Sequence, residues 1–201
     1  PAAALGYNSI NLGGIATVTI TGNTQNNYAG IIASVASTAT VSNNSVTGGT
    51  YAQGISVTGL STAPVTATVS NNTLSANSTI SVTNSISPVI NQNTCGSISV
   101  SGNTGISITN NNITTTGSGI SISSLAGTST TNTGATAQGF TITNNRIVQP
   151  SGMSGLYGIY CSGFNIATGA GLIANNTVSA QVSSTSTYYG IYPYQSKNVN
   201  V

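Results

Sequence analysis

Apolar residues alternate with small hydroxyl residues in short runs along this chain, and each run leads to an asparagine. Val18-Thr19-Ile20 leads to Asn23, Ala39-Thr40-Val41 to Asn44, Ala67-Thr68-Val69 to Asn72, and Pro88-Val89-Ile90 to Asn93. Ile106-Ser107-Ile108 leads to Asn111, Phe140-Thr141-Ile142 to Asn145, and Gly171-Leu172-Ile173 to Asn176. Alternation with a period of two predicts a short strand that buries one side, and the asparagine marks the turn that follows.

A second motif answers the first: a glycine or small polar residue, then Ile, any residue and an apolar one. It falls at Ile31, Ile55, Ile80, Ile98, Ile120, Ile159 and Ile191, with Ile10 as its first member. From this Ile to the centre of the next asparagine motif is ten residues in four copies, such as Ile31 to Val41, and rises to twenty-two from Ile120 to Ile142. A fixed minimum with variable additions describes a coil that lets out loops on one side. One coil therefore holds at least two strands and takes from 18 residues (Ile80 to Ile98) to 39 (Ile120 to Ile159). Strands this short, with the same residue type returning to the same place, favour like stacking on like.

In such a stack, the asparagines Asn23, Asn44, Asn72, Asn93, Asn111, Asn145 and Asn176 form an inward column. An amide both donates and accepts, so a column of them leaves no buried polar group unpaired. The competing account is that asparagine merely tolerates a left-handed turn on the surface. The column is the preferred reading because these asparagines keep their spacing to the apolar residues, whereas the position before them drifts among Gly22, Asn43, Asn71, Gln92 and Asn110.

The run GISITNNNITTTGSGISIS, with GFTITNNRIV and YGIY after it, resembles the parallel β-helix repeat of pectate-lyase-like proteins. The resemblance extends from about Tyr7 to Val201 and implies an all-β, right-handed parallel β-helix of about eight coils, a single segment over residues 1–201 with variable loops. It implies an architecture rather than an activity, since the same scaffold serves lyases, hydrolases, phage tailspikes and surface adhesins.

Composition narrows the function. The chain has no Asp, Glu, His or Trp, and its only charged side chains are Arg146 and Lys197. Glycoside hydrolysis needs paired carboxylates. The polysaccharide lyases of this fold resemble one another in using acidic calcium ligands and a basic residue, and Arg146 stands where other copies have Ser45, Thr73 or Thr177. A Ser or Cys nucleophile has no His or carboxylate to activate it, and the usual zinc, calcium and magnesium ligand sets are absent. The expectation is therefore a chain that is not an enzyme, with no catalytic residue, no metal and no cofactor. A net charge of +2 does not point to nucleic acid, and no apolar run approaches a membrane span. With 38% hydrophobic residues and almost no charge, the chain also lacks the signature of disorder.

The remaining chemistry lies in a few side chains. Cys95 and Cys161 occupy apolar motif positions and are expected to be small core residues, about three coils or ~14 Å apart and unbridged. The tetrapeptide YGIY occurs at Tyr157–Tyr160 and Tyr189–Tyr192, one coil apart. With each Ile inward, Tyr160 and Tyr192 are expected to stack on the outer face, and Tyr157, Tyr160, Tyr189 and Tyr192 offer a surface for sugar stacking. The alternative is that they pack under neighbouring loops. Hydroxyls at Thr19, Thr21, Thr40, Ser42, Thr68, Ser70, Ser107, Thr109, Thr141 and Thr143 form two outward columns that resemble the Thr faces of ice-binding solenoids, although Ser and Thr follow no order. Asn43, Asn71, Asn77, Asn112 and Asn175 head Asn-x-Ser/Thr sequons, as in secreted proteins. The segment Leu125–Gln138, rich in Gly, Ser, Thr and Ala, is expected to be a surface loop.

The functional expectation is a structural or adhesive segment of a large secreted or cell-surface protein or fibre. Its partners would be neighbouring coils of the same or another chain. The rival is a catalytically dead relative of β-helix polysaccharide lyases that keeps carbohydrate binding, with ice binding a weaker third. Val199-Asn200-Val201 opens another asparagine motif ten residues after Ile191, so the chain reads as part of a longer one.

Overall fold

The computed structural model describes residues 10–26, 30–47, 54–60, 63–76, 78–101, 105–123, 139–150, 157–163, 171–181, 187–194, 196 and 198–201. The loop expected at Leu125–Gln138, the sequon at Asn77, Lys197 and the first nine residues lie outside them. The described residues form 21 strands and no helix.

The strands fall into eight coils. The first is β1 (Ile10–Thr21) and β2 (Thr24–Asn26); the second is β3 (Ile31–Ser42) and β4 (Ser45–Thr47). The third is β5 (Ile55–Gly59), β6 (Thr66–Ser70) and β7 (Thr73–Leu74); the fourth is β8 (Thr79–Thr83), β9 (Val89–Asn91) and β10 (Thr94–Cys95). The fifth is β11 (Ser97–Ser101), β12 (Ser107–Thr109) and β13 (Asn112–Thr114); the sixth is β14 (Ile120–Ser123), β15 (Thr141–Thr143) and β16 (Arg146–Gln149). The seventh is β17 (Tyr157–Ser162), β18 (Gly171–Ala174) and β19 (Thr177–Ala180), followed by β20 (Tyr189–Tyr194) and β21 (Val199–Asn200) of the eighth.

Each strand pairs in parallel with its counterpart one coil away, giving three stacks: one through the Ile motif, one before the asparagine and one after it. The third strand, centred two places beyond the asparagine on a residue that is apolar except for Gln25 in the first coil, adds to the minimum of two per coil read from the sequence. In the first two coils β1 and β3 run through the corner between the first and second stacks, so β3 pairs with both β5 and β6 and joins the two stacks into one 14-stranded sheet. The chain is a parallel β-helix. A right-handed sense is the one that the chirality of crossovers between parallel strands favours.

Register confirms the two motifs. Ile10 aligns with Ile31, Ile31 with Ile55, and the column continues through Ile80, Ile98, Ile120, Ile159 and Ile191. Ile20, Val41, Val69, Ile90, Ile108, Ile142 and Ile173 form a second column. Both enter one continuous core, which also takes Val46, Leu74, Cys95, Ile113 and Ile147 from the third stack. Pro88 precedes β9 and still serves the sheet, because its carbonyl accepts the Ser107 N–H at 2.9 Å. At the last coil, Gly171 pairs with Val199 and Leu172 with Asn200, the register that the closing Val-Asn-Val predicted.

Two glycines show how tightly the coils are fitted. A Cβ on Gly171 would lie 2.6 Å from the ring of Phe140, the largest fully buried side chain, so glycine in one coil makes room for phenylalanine in the coil before. A Cβ on Gly158 would lie 2.5 Å from both Val178 Cγ1 and the Gly190 carbonyl oxygen. Gly158 therefore serves close approach at the corner where the chain enters the first stack. Gly158→Ala is expected to destabilise the fold by about 1–3 kcal/mol, because a backbone oxygen stands in the way and cannot rotate aside. Chemical denaturation against the wild-type chain measures it, and an unchanged midpoint would refute the packing described.

Candidate functional site

At the asparagine corner each of the first seven coils makes the same two-residue turn. The first residue is left-handed: Gly22 has φ 71°, and Asn43, Asn71, Gln92, Asn110, Asn144 and Asn175 have φ of 55–57°. These side chains are exposed. Tolerance of left-handed backbone thus explains the first position, whose identity drifts among residues that accept it. The second residue is the ladder asparagine, and Asn44, Asn72, Asn93, Asn111 and Asn145 are each at most 2% exposed.

The turn tips one peptide N–H per coil away from the backbone ladder, and the amide of the next coil receives it. The backbone N–H groups of Asn23, Asn44, Asn72, Asn93, Asn111 and Asn145 donate to Oδ1 of the next ladder asparagine at 2.9–3.0 Å. The same oxygen accepts Nδ2 of the preceding asparagine at 2.9–3.0 Å. From Asn44 to Asn176, Nδ2 also reaches a core carbonyl of the coil before, from Ile20, Val41, Val69, Ile90, Ile108 and Ile142, at 2.8–3.0 Å. Nδ2 further meets the carbonyl two residues earlier in its own coil. Aspartate could not replace asparagine here, since a carboxylate has no N–H for those carbonyls and would stack like charges every ~4.8 Å.

The tyrosines form the second candidate site. Tyr157, Tyr160, Tyr189 and Tyr192 come together, and Tyr194 joins them. Tyr192 is central, with ring centroids 5.3 Å from Tyr157, 6.1 Å from Tyr160, 4.8 Å from Tyr189 and 5.8 Å from Tyr194. The planes of these pairs are tilted by no more than 27°, so the rings stack. Tyr194 was missed because it lies outside YGIY, although its place two residues beyond Tyr192 on one strand was a usable signal. Loss of water contact in the cluster, reinforced by Tyr189, Tyr157, Tyr194 and Tyr160, pushes the Tyr192 phenol up from its ordinary value. Tyr188 donates to Gln149 Oε1. Burial raises the pKa of its phenol. Gln149, itself buried, donates onward to the carbonyls of Gly117 and Tyr157.

The other candidates are more dispersed. The two hydroxyl columns exist, but Val89 and Leu172 interrupt one, and Asn91 and Ala174 the other. Apolar Val89 and Leu172, 38% and 41% exposed, break the uniform lattice that ice binding would use. Asn43, Asn71, Asn112 and Asn175 of the sequons are exposed. Arg146 stands on the third stack and donates through Nη1 to Asn112 Oδ1 at 3.2 Å. Cys95 and Cys161 are free and buried, on different stacks, and burial pushes both thiols up to about 12. Among the described residues no three His, Cys, Asp or Glu side chains gather as a metal site would need.

The fold and its ladder define the class of this protein, a parallel β-solenoid with an internal asparagine ladder. No family model, curated protein or solved structure matches the chain.

Replacing Asn111 with Leu is expected to cost about 1–3 kcal/mol, because it strands the Asn93 N–H and the Ile90 carbonyl in the interior. Asn110→Gly, at the exposed left-handed position, should cost well under half as much. Equal losses for the two substitutions in urea denaturation would contradict the ladder's role.

The buried thiols, with the raised phenols of Tyr188 and Tyr192 acting in the same direction, set the dependence of stability on pH. A folded thiol pKa of about 12 against an ordinary 9.0 means that the unfolded chain releases these protons first as pH rises. The stabilisation is complete below the ordinary value and is lost progressively between the two. Asp, Glu and His are absent, so the melting temperature should be nearly flat from about pH 3 to 9 and fall above that. A thermal melt series checks both halves, and a transition near neutral pH would disprove it.

Proposed function

We propose that this chain is a non-catalytic structural segment of a large extracellular or cell-surface protein or fibre, serving as a rod and adhesive surface. The observation that carries the reading is the ladder itself, unbroken from Asn23 to Asn176. Each of the first six coils is tied to the next by the same backbone and side-chain bonds, so stiffness is added coil by coil without a new design at each step. The outer surface supports the reading too. It is covered by Ser, Thr and Asn in place of charge, and the whole chain lacks the carboxylates and imidazoles on which hydrolytic and lyase chemistry depends. A neutral hydroxyl and amide surface suits a rod exposed to changing pH and salt, because neither alters its charge. Its partners in this reading are adjacent coils of the same or another chain.

An antibody raised against this segment should decorate the surface or fibres of intact source cells. Label that enters only after permeabilisation would overturn the extracellular placement.

A further inference from the structure

Two outward columns of the first stack change character in the last two coils, one at the seventh and the other at the eighth. One runs Ser56, Ser81, Ser99 and Ser121, then becomes Tyr160 and Tyr192. The other runs Thr58, Thr83, Ser101, Ser123 and Ser162, then becomes Tyr194. The sheet is continuous across the change, with Ile120, Ile159 and Ile191 still aligned on the inner side. Small hydroxyl residues therefore satisfy this outer face for four coils, and the fold does not require aromatic rings there. Tyr157, Tyr160 and Tyr192 are half-buried in the cluster, and Tyr189 and Tyr194 are exposed.

We propose that Tyr157, Tyr160, Tyr189, Tyr192 and Tyr194 form a binding platform for a neutral carbohydrate. Five near-parallel phenol rings offer a contiguous aromatic surface edged with hydroxyls. That is the complement of a sugar, which carries C–H patches on its ring faces and hydroxyls around its edge. Charge selects among ligands. The chain has no carboxylate to hold a cation, and Arg146, the one cation among the described residues, lies on the third stack and is bonded to Asn112. Among the described residues, an anionic or cationic ligand thus finds no counter-charge beside the rings. A greasy protein partner finds serine beside the rings, at Ser121, Ser123 and Ser162, where an apolar interface would extend with aliphatic side chains. The mutual stacking holds the rings in place before a ligand arrives, which reduces the ordering cost of binding. Tyr192 stacks with all four other rings and stands at the centre of the platform. The platform does not depend on the scaffold reading.

The experiment titrates the 201-residue chain separately with soluble oligosaccharides of glucose, of N-acetylglucosamine and of mannose, followed by calorimetry and tyrosine fluorescence. Saturable binding of at least one is expected, weakened by about tenfold or more in Tyr192→Ser and Tyr194→Ser. These substitutions restore the residue that earlier coils carry at the same outward place, so the fold is kept and the melting transition should remain cooperative. Absence of saturation with all three sugars would overturn the proposal. So would binding that both variants leave unchanged, or rings that mediate self-association of the wild-type chain with no sugar response.

Discussion

One peptide N–H in each coil has nowhere to go in the backbone. The left-handed residue at the corner turns it inward, away from the parallel ladder, and a buried donor left there would cost about 1–3 kcal/mol per coil. The amide oxygen of the next asparagine removes that cost, and the amide nitrogen uses its own hydrogens on carbonyls of the same corner. Because the solution is geometric, the corner cannot vary. The distance from the central apolar residue to the asparagine is three residues in every copy, from Ile20–Asn23 to Ile173–Asn176. Variation is pushed to the other two corners, where the chain makes additions as large as that between Ile120 and Ile142. A rigid corner and two permissive ones are how a solenoid accommodates coils of 18 to 39 residues without losing register.

The core is built to the same logic. Columns of Ile and Val fill it because β-branched side chains suit a pleated, fully buried surface. Where a coil carries something larger, as at Phe140, the next coil yields space with Gly171. The outer surface is free of that constraint, so its changes carry more information. Serine gives way to tyrosine on the first stack, and Val89 and Leu172 break the hydroxyl columns on the second, while the inner columns do not respond. A solenoid separates in this way the side chains that hold it together from those that meet the environment.

The strands, the repeat, the inward asparagines and the alignment of the two Tyr-Gly-Ile-Tyr segments were legible because each is a local matter of spacing. Alternation decides which side chain faces inward, and the fixed offset from the apolar residue separates ladder asparagines such as Asn111 from left-handed ones such as Asn110. Tertiary structure decided the rest, since it depends on what the neighbouring coil supplies 18 or more residues away. The third strand, only two residues long at Thr73–Leu74 and Thr94–Cys95, is too short for periodicity to reveal and exists because each copy pairs with the next. The passage of β3 through a corner as one strand, the contact of Tyr188 with Gln149, the close approach that demands Gly158 and the entry of Tyr194 into the ring stack are all set between coils. Sequence alone determined the content of one coil; stacking decided what its side chains meet, because in a parallel solenoid almost every contact is made with the coil before or after.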